Sequence, residues 1–201
     1  MAQPPPTARS VEQLREAAAS CQACDLWVEA TQTVFGEGSE HSRMMLVGEQ
    51  PGDQEDLQGK PFVGPAGRLL ERALEEAGID RRRVYITNAV KHFRFTRRGK
   101  RRLHEKPNAG QIRACRPWLD GEIEAVRPRI IVLLGATAAQ AVMGPAFRVS
   151  KQRGEVLNSP VGLPVVATVH PSSILRAADN ESREAAMSSF IADLRVAAKH
   201  A

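Results

Sequence analysis

The sequence predicts an α/β fold: a three-layer α/β/α sandwich around a central, mainly parallel, four-stranded sheet. Four apolar runs, MMLVG, VYITNAV, IIVLLG and VVATVH, are almost continuously hydrophobic, as strands covered on both faces must be. Helical patterns separate these runs, and alternating strands and helices give parallel strands joined by right-handed crossovers. Because the sequence has no internal repeat and no second apolar core, we expect one domain.

Length and composition fit a soluble enzyme-sized domain, with 201 residues of which 42% are hydrophobic and 25% charged. Pro4, Pro5 and Pro6 predict a disordered, Pro-rich tail over residues 1–9, which leaves residues 10–201 for the domain. No apolar run approaches the roughly 20 residues that span a bilayer, and no signal-like region opens the chain. We therefore expect no membrane contact, a cytoplasmic, bacterial-type location and a monomer.

The helices are predicted from their patterns and their end signals. VEQLREAAAS precedes the first strand, and AGRLLERALEEAG follows it and closes at Gly78. Pro107 and Asn108 open NAGQIRACRPWLDGEIEAV, ATAAQAVMG follows the third strand, and ESREAAMSSFIADLRVAAKH ends the chain. These helices would cover both faces of the sheet.

Three of the strands are followed by polar segments that contain Gly or Pro. GEQPGDQED follows the first strand, Asn88 lies in the second strand just before a basic segment, and HPSS follows the fourth. Ligands of parallel sheets bind at the carboxyl ends of the strands, which lie along one edge. The sequence therefore predicts a functional site at this edge.

The net charge of +5 is concentrated in one segment. Between Lys91 and Lys106 there are eight Lys or Arg residues and one acidic residue, Glu105. A cationic segment on a nearly neutral body favours contact with a polyanion at a defined place, with Lys100, Arg101 and Arg102 as candidate phosphate-binding residues. A solvated surface loop is the alternative interpretation.

Three cysteines, Cys21, Cys24 and Cys115, cannot all pair with one another. Cys21 and Cys24 form a C-x-x-C that follows a helical pattern and precedes every strand, which is not the position of a thioredoxin-like redox motif. Metal ligation is the better interpretation, and it requires further ligands.

Taken together, these motifs resemble the uracil-DNA glycosylase superfamily. GEQPGDQED with GKPFVGPAGRLL is similar to the first motif of family 4, and VHPSSILR is similar to the second. Gln50 in GEQPG and the segment containing KRRLH are similar to the X-type branch, whose members become covalently joined to uracil-containing DNA. The resemblance implies uracil-containing DNA as the partner, with single strands favoured, and uracil as the product.

The resemblance implies three catalytic residues. His104 would be the nucleophile that joins C1′ of the sugar, and Glu49 would stabilise the positively charged sugar or orient the nucleophile. His170 would donate a hydrogen bond to uracil O2 and stabilise the leaving anion, although a capping histidine before Pro171 is the other interpretation.

The predicted substrate-binding residues would surround a uracil that has been flipped out of the DNA stack. Phe62 would stack on the base, although a core position is the commoner fate of a Phe. Asn88 would match the N3–H and O4 edge of uracil, although it also suits a turn at a strand end. Gln50 would orient the His104 ring. The complete predicted set is Gln50, Gly52, Asp53, Phe62, Asn88 and Ser172.

The resemblance also implies a structural [4Fe–4S] cluster. Cys21, Cys24 and Cys115 match three of the four family cysteines, and His92 occupies the fourth position. The same four donors suit tetrahedral zinc, and His92 as an ordinary loop histidine stays open.

Four hypotheses follow from these observations. The first is an enzyme that excises uracil and becomes joined to the abasic site through His104. The second is a conventional glycosylase in which water attacks and His104 contacts phosphate. The third is a protein that binds uracil-containing DNA without cleaving it. The fourth, a redox-sensing iron–sulfur protein, leaves Asn88, His170 and GEQPG unexplained.

Overall fold

The computed structural model describes residues 10–201, and the predicted tail at residues 1–9 lies outside the described residues. The strands of the described part are, in chain order, β1 (Met44–Gly48), β2 (Val84–Asn88), β3 (Phe95–Arg98), β4 (Arg101–His104), β5 (Ile130–Leu134), β6 (Val156–Asn158) and β7 (Pro164–Thr168). One sheet has the strand order β2–β1–β5–β7–β6, and β3 and β4 pair separately.

The central sheet has five strands where the sequence predicts four. The four predicted strands, β2, β1, β5 and β7, are parallel to one another as expected. The additional strand, β6, is antiparallel to β7 and lies at the edge of the sheet. It has three residues, none of them fully buried, so it lacks the apolar run by which a strand is recognised in a sequence.

The helices cover both faces of this sheet. Within residues 10–201 they are α1 (Val11–Ala18), α2 (Asp53–Gln58), α3 (Pro65–Glu76), α4 (Ala109–Val126), α5 (Ala136–Met143), α6 (Val149–Gln152), α7 (Pro171–Leu175) and α8 (Asn180–Ala198), with short 3₁₀ helices at Asp25–Val28 and Arg81–Arg83. Asn108 caps α4, as predicted, by accepting a hydrogen bond from the backbone N–H of Gln111. None of these helices is long and apolar enough to cross a membrane.

Two hydrophobic clusters fill the space between the three layers. Alternate strand residues point to opposite faces, so Met45 and Val47 pack in the cluster that includes α1, α4 and α5. Met44 and Leu46 pack in the other cluster, which includes α3, α7 and α8. The three-layer α/β/α sandwich predicted from the sequence is therefore confirmed.

The basic segment forms a β-hairpin instead of an irregular loop. Strands β3 and β4 are antiparallel, with Phe95 opposite His104 and Arg98 opposite Arg101. Gly99, with a φ of 60°, occupies the first position of the two-residue turn, as a tight hairpin turn favours. His104 is thus the last residue of a strand, and its position is set by a ladder of backbone hydrogen bonds.

Candidate active site

The carboxyl ends of β1, β2 and β7 bring the predicted catalytic side chains to one edge of the sheet. Gly48, the last residue of β1, is opposite Asn88, the last residue of β2, and Glu49 follows immediately. His170 lies two residues after the end of β7 and is the N-cap of α7, so the capping interpretation of this histidine is confirmed. The convergence expected from the fold class is therefore present.

Gly48, Phe62, Asn88 and His170 lie close together at this edge, and this group of residues is called here the strand-end pocket. A Cβ atom at Gly48 would lie 2.7 Å from the ring of Phe62 and would overlap Oδ1 of Asn88, so this position has room only for glycine. Asn88 is 2% exposed, and within residues 10–201 nothing donates a hydrogen bond to its Oδ1. A buried acceptor without a partner is costly, which suggests that a ligand supplies the donor.

Phe62 is held in a backbone conformation that favours glycine. Its φ is 56°, and a Cβ at Gly67, near the start of α3, would overlap the Phe62 carbonyl group. The Phe62 ring stacks on the His170 ring with a centroid separation of 5.9 Å and an interplanar angle of 29°. Strained backbone of this kind persists where the surroundings over-determine it, commonly at ligand sites.

His170 is a neutral imidazole with a defined tautomer. Its Nδ1 accepts a hydrogen bond from the backbone N–H of Ser172 at 3.2 Å and lies 2.8 Å from the Ser172 hydroxyl. Burial lowers the pKa of His170 to about 4, with smaller contributions from the nearby charges of His104 and Arg176. Since Nδ1 is an acceptor, the ring proton is on Nε2, where it is available to a ligand.

Glu49, the residue after Gly48 of the strand-end pocket, faces His104 on the hairpin. The Nε2 atom of His104 lies 3.3 Å from Oε1 of Glu49, and the side chains are 50% and 21% exposed, respectively. The other carboxylate oxygen of Glu49 accepts a hydrogen bond from the hydroxyl of Thr137, in the first turn of α5. The carboxylate is thereby fixed on one side and turned towards His104 on the other.

Gln50 closes the base of the hairpin with its side-chain amide. Its Nε2 donates to the backbone oxygens of Arg94 at 3.1 Å and Glu105 at 3.0 Å, while its Oε1 accepts from the N–H of Arg94 at 3.1 Å. The sequence predicts that Gln50 orients the His104 ring. Among residues 10–201, its hydrogen bonds go to the backbone that leads into and out of the hairpin, so it orients the strand that bears His104.

Arg102 fastens the hairpin to α2. Its guanidinium group contacts Asp53 Oδ1 and Asp56 Oδ2, both at 2.6 Å. It also lies over the rings of Phe93 and Phe95 at 5.5 and 5.1 Å from their centroids. Arg102 is predicted as a phosphate-binding residue, yet its charge is already compensated by two carboxylates, and its planar group is enclosed by rings.

Replacing Arg102 with Ala is expected to loosen the hairpin. The change leaves Asp56, which is fully buried, without its counter-ion, and charged hydrogen bonds of this kind contribute about 1.5–3 kcal/mol each. Amide hydrogen exchange of residues 95–104 should accelerate by about tenfold or more. Arg98→Ala removes an exposed arginine from the same hairpin and should leave the exchange rates unchanged; equal effects of the two changes would contradict the role of Arg102 as an anchor.

The remaining predicted substrate-binding residues support the loops around the strand-end pocket. The N–H of Gly52 donates to Glu55 Oε2 at 3.1 Å, and the N–H of Gly64 donates to Glu55 Oε1 at 2.8 Å. The buried carboxylate of Glu55 thus ties the segment after β1 to the segment that contains Phe62. Asp53 binds Arg102 of the hairpin, and Ser172 binds His170 of the strand-end pocket.

Lys100 and Arg101, at the tip of the hairpin, are exposed cations. Between the hairpin and α2 lies an open cavity of about 520 Å³, lined by Asp53, Leu57, Arg97, Lys100, Arg101 and Arg102. Its lining is mainly cationic, so the predicted contact with a polyanion has a defined surface.

The three cysteines are free thiols, and Cys21 and Cys115 are buried. Within residues 10–201, no group of three or more His, Cys, Asp or Glu side chains is arranged to hold a metal ion as it stands. The sulfur atoms nevertheless accept hydrogen bonds as metal-bound thiolates do: Trp118 Nε1–H donates to Cys21 Sγ, and the N–H of Lys91 donates to Cys115 Sγ, both at 3.2 Å.

His92 has the tautomer that a metal ligand needs. Its Nε2 lies 3.0 Å from the hydroxyl oxygen of Thr33, and that hydroxyl donates its own proton to the carbonyl of Ala18 at 2.9 Å. The histidine must therefore be the donor, which leaves the lone pair on Nδ1 free. Burial also lowers the pKa of His92 and keeps the ring neutral. The four predicted donors are of a kind that binds a metal or cluster, and the His92 ring already has the protonation state that ligation needs.

Several residues around the site are not among those predicted from the sequence. Thr137, Glu55 and Asp56 hold Glu49, the pocket loops and Arg102, respectively, and Glu122 is buried beneath β2 in contact with Lys91. The sequence contains one usable signal for Thr137, since it lies three residues after the end of strand β5, at the same edge of the sheet. Glu55 and Asp56 lie in a polar segment and Glu122 lies in a predicted helix, and in both settings a carboxylate is ordinarily exposed to solvent.

Comparison with known protein families gives a match over most of the chain. Residues 35–195 match the model of a family described as the Uracil DNA glycosylase superfamily. The match begins before β1 and ends within α8, and it includes every strand and each side chain of the strand-end pocket.

The chain is also similar to individual curated proteins. A Type-4 uracil-DNA glycosylase of Thermotoga maritima is 40% identical over 174 residues, which is 86% of this chain and 87% of that protein. A Type-4 uracil-DNA glycosylase of Pyrobaculum aerophilum is 36% identical over 173 residues, covering 83% of this chain and 85% of its own length. A Type-5 uracil-DNA glycosylase of the same organism is 34% identical over 154 residues, covering 68% and 64%.

Proposed function

The chain belongs to the uracil DNA glycosylase superfamily, and on that premise we propose that it is a DNA repair enzyme that removes uracil from DNA. The reaction cleaves the N-glycosidic bond between the base and C1′ of the sugar. The observation that supports this proposal most is the buried, unpaired Oδ1 of Asn88 beside the ring of Phe62 and the neutral ring of His170.

Each polar atom of the strand-end pocket has a complementary atom on uracil. The Oδ1 of Asn88 accepts the N3–H of the base, and its Nδ2 donates to O4. The Nε2–H of His170 donates to O2, and the Phe62 ring stacks on the base. Cytosine has no proton on N3 and a donor in place of O4, so its edge repels both halves of the Asn88 amide.

The neutral state of His170 suits the leaving group. As the glycosidic bond breaks, its electron pair moves onto uracil, and negative charge develops at O2 close to the fixed Nε2–H donor. The positive charge develops on the sugar, where the Glu49 carboxylate, held by Thr137, stabilises it.

The proposal extends to capture of the sugar by His104. Because His104 Nε2 lies 3.3 Å from Glu49 Oε1, a C1′ atom stabilised by Glu49 is also within reach of the imidazole. The lone pair of a ring nitrogen forms the new bond to C1′ while the bond from C1′ to N1 of uracil breaks. The ring becomes positively charged, and it then loses the proton on its other nitrogen to solvent. DNA and protein remain covalently joined.

A second candidate function is conventional turnover, in which water attacks C1′ and His104 contacts the DNA. The observation that favours it is the name of the relatives, which are Type-4 uracil-DNA glycosylases. A denaturing gel distinguishes the two functions. The protein is mixed with a single-stranded oligonucleotide that contains one uracil, with a thymine oligonucleotide as the control.

The two functions give different gels. A heat-stable band of lower mobility supports covalent capture, and DNA that breaks at the uracil position only after alkali supports turnover. DNA that emerges intact in both treatments contradicts both, and it leaves a protein that only binds uracil-containing DNA.

The proposed DNA-binding surface is the cationic cavity between the hairpin and α2. Lys100, Arg101 and Arg97 line it with charges that have no carboxylate partner within residues 10–201, in contrast to Arg102. A single strand threaded through this cavity would present its phosphates to these residues and its uracil to the strand-end pocket. We expect the protein to bind such DNA as a monomer.

Replacing Lys100 and Arg101 with Ala is expected to weaken binding to all DNA without changing the preferred base. Removing one ionic interaction with a phosphate should reduce the slope of log affinity against log salt by roughly 0.7 on single strands. Arg83→Ala with Arg129→Ala removes the same charge from the amino ends of β2 and β5, at the opposite edge of the sheet, and should leave the slope unchanged. A change in base preference at constant slope would contradict this assignment.

The proposed function includes a structural [4Fe–4S] cluster held by Cys21, Cys24, Cys115 and His92. Burial raises the pKa of Cys115 to about 12, so its thiolate form requires a bound cation in addition to the N–H of Lys91. The cluster would tie the segment after α1 to α4 and to the residues that lead into the hairpin. Zinc is the less favoured occupant.

Purified wild-type protein is expected to be yellow-brown, and Cys115→Ala is expected to be colourless and less stable. The measurements are visible absorption, iron and sulfide content, and the thermal midpoint. Cys115→Ser, which keeps the volume but supplies a weaker ligand, should resemble Cys115→Ala. A colourless, folded wild type with one zinc ion per chain would rule out the cluster.

A further inference from the structure

A buried ion pair lies behind the strand-end pocket. The ammonium group of Lys91 contacts a carboxylate oxygen of Glu122, on α4, and the two side chains are 1% and 0% exposed. Lys91 belongs to the cationic segment by sequence, but its burial excludes any contact with DNA. The three donors of its ammonium group are used inside the protein: Glu122, the Thr87 hydroxyl at 2.6 Å and the backbone oxygen of Asn88 at 2.8 Å.

Glu122 is a rigid anchor for Lys91. Its Oε1 atom accepts hydrogen bonds from the backbone N–H of Gly36 at 3.1 Å and from the hydroxyls of Tyr85 and Thr87, both at 2.9 Å. A Cβ at position 36 would overlap the same oxygen, so the backbone approaches the carboxylate as closely as sterics allow. With donors from three directions, the carboxylate has one position.

Lys91 binds Asn88, the residue that is proposed to form hydrogen bonds with the base. Asn88 presents its backbone carbonyl to Lys91 on one side and its carboxamide to the strand-end pocket on the other. The turn after Asn88 is also fixed to β1 and the residue after it, because the N–H groups of Ala89 and Val90 donate to the carbonyl oxygens of Gly48 at 2.9 Å and Glu49 at 3.0 Å. The hydrogen bond from Lys91 constrains the Asn88 backbone on the side away from the strand-end pocket.

Stability alone does not account for this pair. Removing two charges from water is costly, and buried ion pairs are often replaced by apolar residues with no loss of stability. The ion pair is costly in free energy, and its lysine also binds the backbone oxygen of Asn88. We therefore infer that the pair fixes the position of Asn88. A displacement of about 1 Å in a recognition group weakens a reaction strongly.

We propose that Lys91, held by Glu122, is a positioning residue for base recognition: it fixes the backbone of Asn88 so that the carboxamide faces uracil in one orientation. The inference rests on the proposed function, since it assigns Asn88 to the base. Two buried charged residues, Lys91 and Glu122, would thus contribute to the choice of base without contacting the DNA.

The test uses the full chain with Lys91→Met and Glu122→Gln combined. Methionine fills the volume of the lysine stem, and the glutamine oxygen still accepts from Gly36 and Tyr85, so no buried charge is left unpaired. Binding is measured to single-stranded DNA containing 2′-fluoro-2′-deoxyuridine, whose glycosidic bond resists cleavage, and to the same DNA with thymidine. The ratio of the two affinities is the uracil preference.

The double variant is expected to lose about tenfold in uracil preference, as for one well-placed hydrogen bond, with unchanged affinity for the thymidine DNA. The control is Leu194→Ala, which removes a fully buried side chain from α8 on the other face of the sheet. It should lower the thermal midpoint and leave the preference intact. Loss of preference in this control, or a wild-type preference in the double variant, overturns the inference.

Two further outcomes are distinguishable. If the wild type itself shows no preference for the uracil analogue, the proposed function fails and the inference fails with it. If the double variant does not fold, Lys91→Gln combined with Glu122→Gln is measured, because it also leaves no buried charge unpaired and keeps a polar but shorter side chain at position 91. In that variant a smaller loss of preference supports the inference, and an unchanged preference contradicts it.

Discussion

Replacing His104 with Ala is expected to abolish the heat-stable protein–DNA adduct while uracil is still released. The imidazole of His104, the proposed nucleophile, lies 3.3 Å from the Glu49 carboxylate. Glu49 itself is held by Thr137, and His170 is held by Ser172, so neither depends on His104 for its position. The groups that stabilise the sugar cation and the uracil anion remain in place.

The space left by the imidazole is open to solvent, because the His104 side chain is half exposed. Water can therefore enter beside Glu49 and capture the sugar. The variant should change from a single-turnover protein to one that leaves an abasic site, which alkali cleaves. His104→Ser should behave in the same way, since its hydroxyl is a poor nucleophile that can still orient water.

The measurements are peptide mass spectrometry of the wild-type complex and alkali cleavage of DNA treated with each variant. The matched control is Leu103→Ala, which truncates the exposed neighbour on the same strand and should keep the adduct. An adduct that maps to another residue, or that persists in His104→Ala, would end the covalent proposal. An adduct lost without any uracil release would show that His104 also acts in bond cleavage.

Asn88→Ala is expected to reduce the single-turnover rate on uracil-containing DNA by about a hundredfold or more. The change removes two hydrogen bonds to the base and leaves a buried base edge without partners, which costs on the order of a few kcal/mol. The fold should be retained, because Asn88 Oδ1 has no partner within the described residues and so contributes little to stability.

Rapid-quench measurement of uracil release gives the rate, and cytosine-containing DNA gives the selectivity. Asn158→Ala, on the exposed edge strand β6, is the matched control and should react like the wild type. A wild-type rate for Asn88→Ala would mean that the base is read elsewhere.

The sheet was predictable because its signal is local. Each of β1, β2 and β5 is buried at all five positions, so a mainly apolar run is visible in the sequence without knowledge of the neighbouring strands. Glu49, Asn88 and His170 were predictable for a related reason, since the carboxyl ends of parallel strands lie at one edge whatever the details of packing. A three-residue edge strand such as β6 has no comparable signal.

The hairpin was not predictable from its own sequence, because contacts with residues outside it stabilise it. Its strands are rich in arginine, and within it only Phe95 is buried. The hairpin is fixed by contacts with Gln50, Asp53 and Asp56, which are 46 to 55 residues away in the sequence. A count of charges along the segment also groups Lys91 and Arg102 with the exposed cations. Composition does not reveal that both have carboxylate partners inside the protein.

Because residues outside the hairpin hold it in place, the hairpin sequence alone would not keep its position in another protein. Copying residues 93–107 into another protein of the same fold would transfer the histidine without its orientation, unless a glutamine follows the first strand and two aspartates occupy the next helix. Four residues are thus coupled, because each holds the hairpin only when the others are present: Gln50, Asp53, Asp56 and Arg102. We therefore expect the residues at these four positions to vary together among related chains.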